Sequence, residues 1–274
     1  MPHPRHTKQL SWRSGPQLDE TRSSAPSVGG LDSGTAANAT ARSMHKLTHF
    51  RLCPFSRAVR LTLAELDMEV ELAEERPWEW RPEFLALNPA GELPVLQLED
   101  GPTLCGVYAI SEYLGEAAPG EPDAAAVEPL FPGDRAERAE VRRLVDWFNG
   151  KLNREVTQEL LNEKVYARLQ PGGQPTPDTD VLRAIRSNLR YHMSYIGHLA
   201  ERRRWLAGEE LSFADLAAGA HLSSIDYLGE VPWEEFETAK VWYARLKSRR
   251  AFRSILADRL PGAIPPTHYA NLDF

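Results

Sequence analysis

Apolar and polar positions change period twice along the chain. Residues 46–50 form a short extended run, 56–66 carry apolar residues at helical spacing, and 70–73 and 95–98 are extended again. Arg76-Pro77-Trp78-Glu79-Trp80-Arg81-Pro82 breaks the pattern and is predicted as a loop. Asp100-Gly101 supplies a turn, and 107–114 return to the helical period. This order predicts a β-α-β unit followed by a β-hairpin and a helix over residues 44–118, the α/β part of the chain. Gly, Pro and Ala mark 119–134 as a linker. Residues 135–169, 178–203, 213–228 and 236–247 then carry apolar residues three and four apart, so 135–257 are predicted all-α. Residues 258–274 form an extended, aromatic and acidic C-terminal tail.

Residues 1–43 are rich in Ser, Gly, Pro, Ala and Arg without apolar periodicity, and are predicted to be a disordered extension. They are open to three readings: a regulatory arm, a transit segment weakened by Asp19, Glu20 and Asp32, or a misassigned start with Met44 as the beginning. Composition narrows the partners. Acids outnumber Lys and Arg by 39 to 32, for a net charge of −7, and the two signs alternate along most segments. A broad cationic face for phosphate backbones is not predicted, so no nucleic acid is expected. No apolar run reaches the roughly 20 residues of a membrane span, so no membrane partner is expected and the protein is placed in the cytoplasm. Cys53 and Cys105 are the only cysteines, too few for a disulfide framework, and no metal set can be assembled.

Three places carry candidate chemistry. Cys53-Pro54-Phe55-Ser56-Arg57 sits at a strand-to-helix turn, where amides and the helix dipole favour a thiolate, with Arg57 and Arg60 one and two turns on. Cys53 is thus a candidate nucleophile, with Ser56 as the alternative hydroxyl; the competing readings are a packed, inert Cys53 and a Ser56 that caps the helix. Gly91-Glu92-Leu93-Pro94-Val95 ends a loop and starts a strand. An X-Pro bond there, at an open edge, suits a cis peptide and would leave the Val95 backbone free to pair with an extended peptide. Ser212-Phe213-Ala214-Asp215 has the spacing of a capping box, a structural role. Of the two indoles in the Arg76–Pro82 stretch, Trp78 is read as packing and Trp80 as an exposed or dimer-contacting anchor. Cys105 is read as buried filler.

The turn cysteine, the Leu93-Pro94-Val95 loop, Tyr108-Ala109-Ile110 leading into Tyr113-Leu114, the α-helical second domain and the Gly208…Ser212-Phe213-Ala214-Asp215 box form one set. Together they resemble the glutathione S-transferase superfamily from about Met44 to Ala257. The resemblance implies a thioredoxin-like first domain that holds glutathione at Leu93, Pro94, Val95, Gly106 and Val107, and a helical second domain that walls a co-substrate site. It places Cys53 at the thiol position of omega-like members. It also exposes a departure: an acidic residue and a Ser usually grip the γ-glutamyl end, and here those positions are Gly106 and Val107. Losing charge-assisted hydrogen bonds of roughly 1.5–3 kcal/mol each predicts a vestigial or weak glutathione site.

The Trp-rich stretch, Glu201-Arg202-Arg203-Arg204 before Trp205, the elbow from Asp226 to Trp233 and the His268-Tyr269-Ala270-Asn271-Leu272-Asp273-Phe274 ending narrow the match. They resemble FtsZ-localised, glutathione-transferase-like division proteins. That resemblance implies a non-catalytic homodimer that binds and curves FtsZ filaments at the division site, engaging them through Arg259, His268, Tyr269, Asp273 and Phe274. No cofactor is required on this reading. Basic runs such as Arg202-Arg203-Arg204 and Arg249-Arg250 would meet an acidic filament in a salt-sensitive way. The rival reading is a glutathione-dependent transferase or thiol transferase with glutathione as co-substrate and Cys53 as its thiol; a small-molecule carrier is a third reading without specific residues.

Overall fold

A computed structural model describes residues 44–116, 130–170, 172 and 176–272. The predicted extension 1–43, most of the predicted linker, Asp273 and Phe274 lie outside these residues.

The first domain contains four strands: β1 (His45–His49), β2 (Val70–Glu74), β3 (Val95–Gln97) and β4 (Thr103–Cys105), in the order β2-β1-β3-β4. β1 and β2 are parallel, joined by the crossover helix α1 (Pro54–Glu65), and the other two pairings are antiparallel. Leu47, Leu96 and Ile110 are fully buried around this sheet. α3 (Val107–Gly115) follows β4. Two expectations are corrected here. The predicted loop around the two indoles holds a 3₁₀ turn, Pro77–Glu79, and a short helix α2 (Pro82–Leu87), each with Pro at its start, where the missing amide costs nothing. And Val95 is not at an edge: it pairs with Thr48 on one side and Cys105 on the other. Its backbone belongs to the centre of the sheet, so the expected free backbone for an extended ligand is absent at Val95.

In the second domain, α4 (Arg135–Asp146) runs on through a wide π-type stretch Trp147–Thr157, α5 (Gln158–Leu161), a second such stretch Asn162–Tyr166 and α6 (Ala167–Leu169). Asp134 caps α4 and accepts from the amides of Ala136 and Glu137 at 2.7 and 3.0 Å. α7 (Thr179–Ala200), α8 (Phe213–Tyr227), α9 (Glu237–Lys247) and α10 (Arg253–Leu256) complete the bundle. Every residue of α8 is buried. Gly219 allows this: a Cβ there would stand 2.3 Å from a Leu246 methyl on α9.

α1 packs on α8, and this joins the two domains. Fully buried Arg57 donates to Arg51 O at 2.7 Å, to Ser223 Oγ of α8 at 2.9 Å and to Asp258 Oδ2 at 3.4 Å. Arg60 adds bonds of 2.8 and 3.1 Å to the two oxygens of the same carboxylate. The arginines expected to support Cys53 are therefore committed to the segment after α10.

Candidate functional site

Cys53 is the residue that begins α1, with Pro54 at the first helical position. It is buried, and burial pushes its thiol up from the usual range despite a hydrogen bond from Ser56 and the nearby Arg57. Ser56 does not cap the helix. It lies inside the first turn, fully buried, and its Oγ accepts from the Phe50 amide at 3.4 Å. Three rings close over the turn: Phe50 and Trp78 are 5.3 Å apart between centroids, and Tyr166, from the helical domain, stands 5.1 Å from Trp78 and 5.8 Å from Phe50. Burial first, and Cys53 second, hold the Tyr166 hydroxyl well above its ordinary range. A protonated thiol under an aromatic lid behaves as a small apolar side chain, and the reading of Cys53 as an activated nucleophile has no support in this geometry.

The Leu93-Pro94 peptide is cis, and Pro94 O accepts from Gly106 N at 2.9 Å, so the loop and the start of α3 are held together. Gly106 adopts φ +86°, a conformation natural to glycine, and no side chain caps α3. Val107 is buried in the core. Where a γ-glutamyl group would need a carboxylate and a hydroxyl, residues 106 and 107 offer only backbone. Open cavities of about 330 and 410 Å³ lie elsewhere, one at the elbow near Trp233 and His268, the other beside β2 near Met68 and Leu72.

The expected tail is built into the body. Tyr227 Oη donates to Ala263 O and accepts from Leu260 N, both at 2.8 Å. Thr267–Ala270 forms a 3₁₀ turn that seats Tyr269 against Tyr227, ring centroids 5.1 Å apart, with its hydroxyl donating to Ile255 O at 3.0 Å. Tyr269 is fully buried, which removes it from the candidate contact residues; its two hydrogen-bond and ring partners are internal. His268 Nε2 lies 2.9 Å from Oδ1 of buried Asp226, and its carbonyl accepts from buried Lys247 at 3.0 Å, whose amine burial lowers to about 8. Exposed Arg259 donates to the carbonyls of Leu256 and Asp258, and its own carbonyl accepts from Arg51. Trp80 is 62 % exposed, with its ring over Gly91, while Trp78 packs inward.

Residues 47–122 match the family described as the N-terminal domain of glutathione S-transferase, and residues 166–250 match its C-terminal domain. The chain belongs to the glutathione S-transferase family. It is similar to FtsZ-localized protein A of Caulobacter vibrioides, with 48% identity over 231 residues, covering 83% of this chain and 97% of that protein. Among solved structures, FzlA from C. crescentus matches with a TM-score of 0.77 and 46% identity, covering 84% of this chain and all (100%) of that one. A glutathione S-transferase from Sinorhizobium meliloti 1021 matches with a TM-score of 0.78 and 46% identity, covering 85% of this chain and 100% of its own.

In this glutathione S-transferase family member, the structure draws Cys53, Leu93, Pro94, Gly106 and Val107 around one end of the sheet. Arg259, His268 and Tyr269 form a separate cluster on the helical side, tied back to Arg51 in the turn before α1 and to α8. Sequence reasoning missed the aromatic lid, because Tyr166 stands more than a hundred positions from Cys53. It also missed Asp258, whose partners are Arg57 and Arg60.

Proposed function

We propose that this glutathione S-transferase family protein is a non-catalytic homodimer that binds FtsZ filaments and bends or crosslinks them at the division site. The observation that carries the reading is the 48% identity with a protein named for its localisation to FtsZ, along nearly all of that protein's length. The pocket supports it: the Cys53 thiol is buried with its pKa raised, and Gly106-Val107 provides no side-chain grip for a γ-glutamyl head. Two-fold symmetry supplies the mechanism, since two identical faces on one dimer join neighbouring filaments or impose a fixed angle along one. Trp80, Arg259 and His268 are the described residues offered as contacts; Asp273 and Phe274 complete the set.

The test is sedimentation of FtsZ polymers with the full chain, alongside glutathione titration by calorimetry. The expected outcome is co-pelleting, curved polymers by electron microscopy, several-fold less pelleting by Trp80→Ala, and no glutathione heat. No co-pelleting together with micromolar glutathione binding would replace this reading with the transferase one, which the intact Leu93-Pro94-Val95 loop favours.

A further inference from the structure

Two arginine runs far apart in sequence meet over one indole. Trp205 follows Arg202-Arg203-Arg204 and is buried edge-on in the bundle. The Arg245 and Arg249 guanidinium carbons, from α9 and the turn after it, lie 5.7 and 5.9 Å from its ring centroid. Arg245 also donates to the Arg204 carbonyl, which stitches the two runs into one face.

The charges on this face are unequally matched. Arg203 pairs with Glu140, Arg249 with Glu65 and Arg250 with Asp67. Arg202 leans on His198, and among the described residues Arg204 and Arg245 have no carboxylate partner. Exposed Glu201, Glu209 and Glu210 border the same turn without pairing with Arg204 or Arg245, which leaves these two guanidiniums available to an outside carboxylate. Exposed Val241, one turn before Arg245 on α9, adds an apolar contact beside the charges.

The face is also rigid. Buried Asp215 accepts from Leu206 N at 2.8 Å and from Trp242 Nε1 at 2.9 Å, fixing the Trp205 turn onto α9, and Trp205 N donates to Gly208 O at 2.8 Å. Arg245 is held beside the indole and by the Arg204 carbonyl, and its remaining donors suit a carboxylate, whereas the fork of Arg249 is already taken by Glu65. The backbone that carries Arg204 and the side chain of Arg245 are thus ordered before docking. Nucleic acid fits worse, because the indole is buried and leaves no platform on which bases could stack.

We propose that the Arg204, Trp205 and Arg245 face is a docking surface for a carboxylate-rich polypeptide. It rests on the filament reading above only for the identity of that polypeptide. The experiment measures binding of the full chain to fluorescent poly-L-glutamate and, in parallel, to FtsZ polymers. Wild-type binding to both is expected to weaken about tenfold on raising salt from roughly 50 to 300 mM, since exposed pairs are screened. Arg204→Glu with Arg245→Glu should weaken binding to both by more than about tenfold, and Arg204→Lys with Arg245→Lys by about threefold, because charge persists without the fork. Arg183→Glu, near the other end of α7 about 26 Å away, should change neither. Reversal variants that keep wild-type affinity for poly-L-glutamate within about twofold, while melting normally, would overturn the proposal; so would equal competition by oligo-dT or by anionic vesicles. Poly-L-glutamate bound through this face without any FtsZ pelleting would overturn the filament reading and leave the surface standing.

Discussion

Cys53 and Asp215 occupy comparable places with opposite results. Each sits in the N-terminal turn of a buried helix, where amides and dipole favour a negative charge. Asp215 receives four donors: the amides of Leu206 and Ser212, the Ser212 hydroxyl and the Trp242 indole. Even so, burial raises its carboxyl from 3.8 to about 6. At Cys53 burial outweighs the helpers it also has, the Ser56 hydroxyl, the Ser56 and Phe55 amides and Arg57, and its thiol is pushed up and stays neutral. A helix start does not by itself make a reactive group; the balance between fixed donors and lost water does. In one domain the turn cysteine is part of the packing, and in the other the capping-box carboxylate is a junction holding a loop and two helices.

The most severe way to break this contrast is Asp215→Ala. Four donors lose their acceptor inside the bundle, and a loss of about 3–5 kcal/mol is expected in urea unfolding. A loss under about 1 kcal/mol would mean that the junction carries no weight.

A second prediction uses pH. Burial lowers His49 from 6.5 to about 4 and His221 from 6.5 to about 3. Both folded values are depressed, so their contribution is full above pH 6.5 and is lost as pH falls towards the folded values. Asp215 has the opposite sign: its folded value is raised, so its contribution is full below 3.8 and is lost as pH rises through about 6. His192, which burial also lowers, acts in the same sense, so the histidines outweigh Asp215 and a net loss of stability is expected as pH falls from 6 to 4. His221→Gln removes one histidine and should flatten the dependence of urea midpoints over that window. An unchanged slope would show that His221 is not held neutral.

The mildest prediction is Cys53→Ala. Removing a small packed group should cost about 1–2 kcal/mol and leave FtsZ pelleting unchanged. Rapid alkylation of Cys53 by iodoacetamide at pH 7 in the folded chain would reverse the reading of the first domain.

Local patterns foretold much of the fold. The strand and helix periods around 46–114 and the four helical stretches of the second domain appear in the structure within a few residues, as do the cis Leu93-Pro94 peptide and the Ser212 to Asp215 box. The errors share a cause. Whether Val95 is at an edge or in the centre depends on β1 and β4 flanking it, and no local pattern encodes strand order. α2 was hidden by two prolines that read as loop signals but serve as helix starts. Tyr269 looked like a tail aromatic because its seat is made by Tyr227 and Ile255. The lack of polar side chains at Gly106 and Val107 was legible because it is a change of residue type at a position the family resemblance had marked.

Asp258 sets a timetable for the newborn protein. Arg57 lies in the first helix, and the carboxylate that answers it is 201 residues later in the chain. At about 5–20 residues per second, a ribosome would take roughly 10–40 s between making the two. Until then Arg57 and Arg60 of the thioredoxin-like half lack the carboxylate that pairs them in the finished protein. A chain cut short of Asp258 would leave both arginines of the opening helix without their shared carboxylate, so a truncation late in the chain is expected to loosen the domain made first.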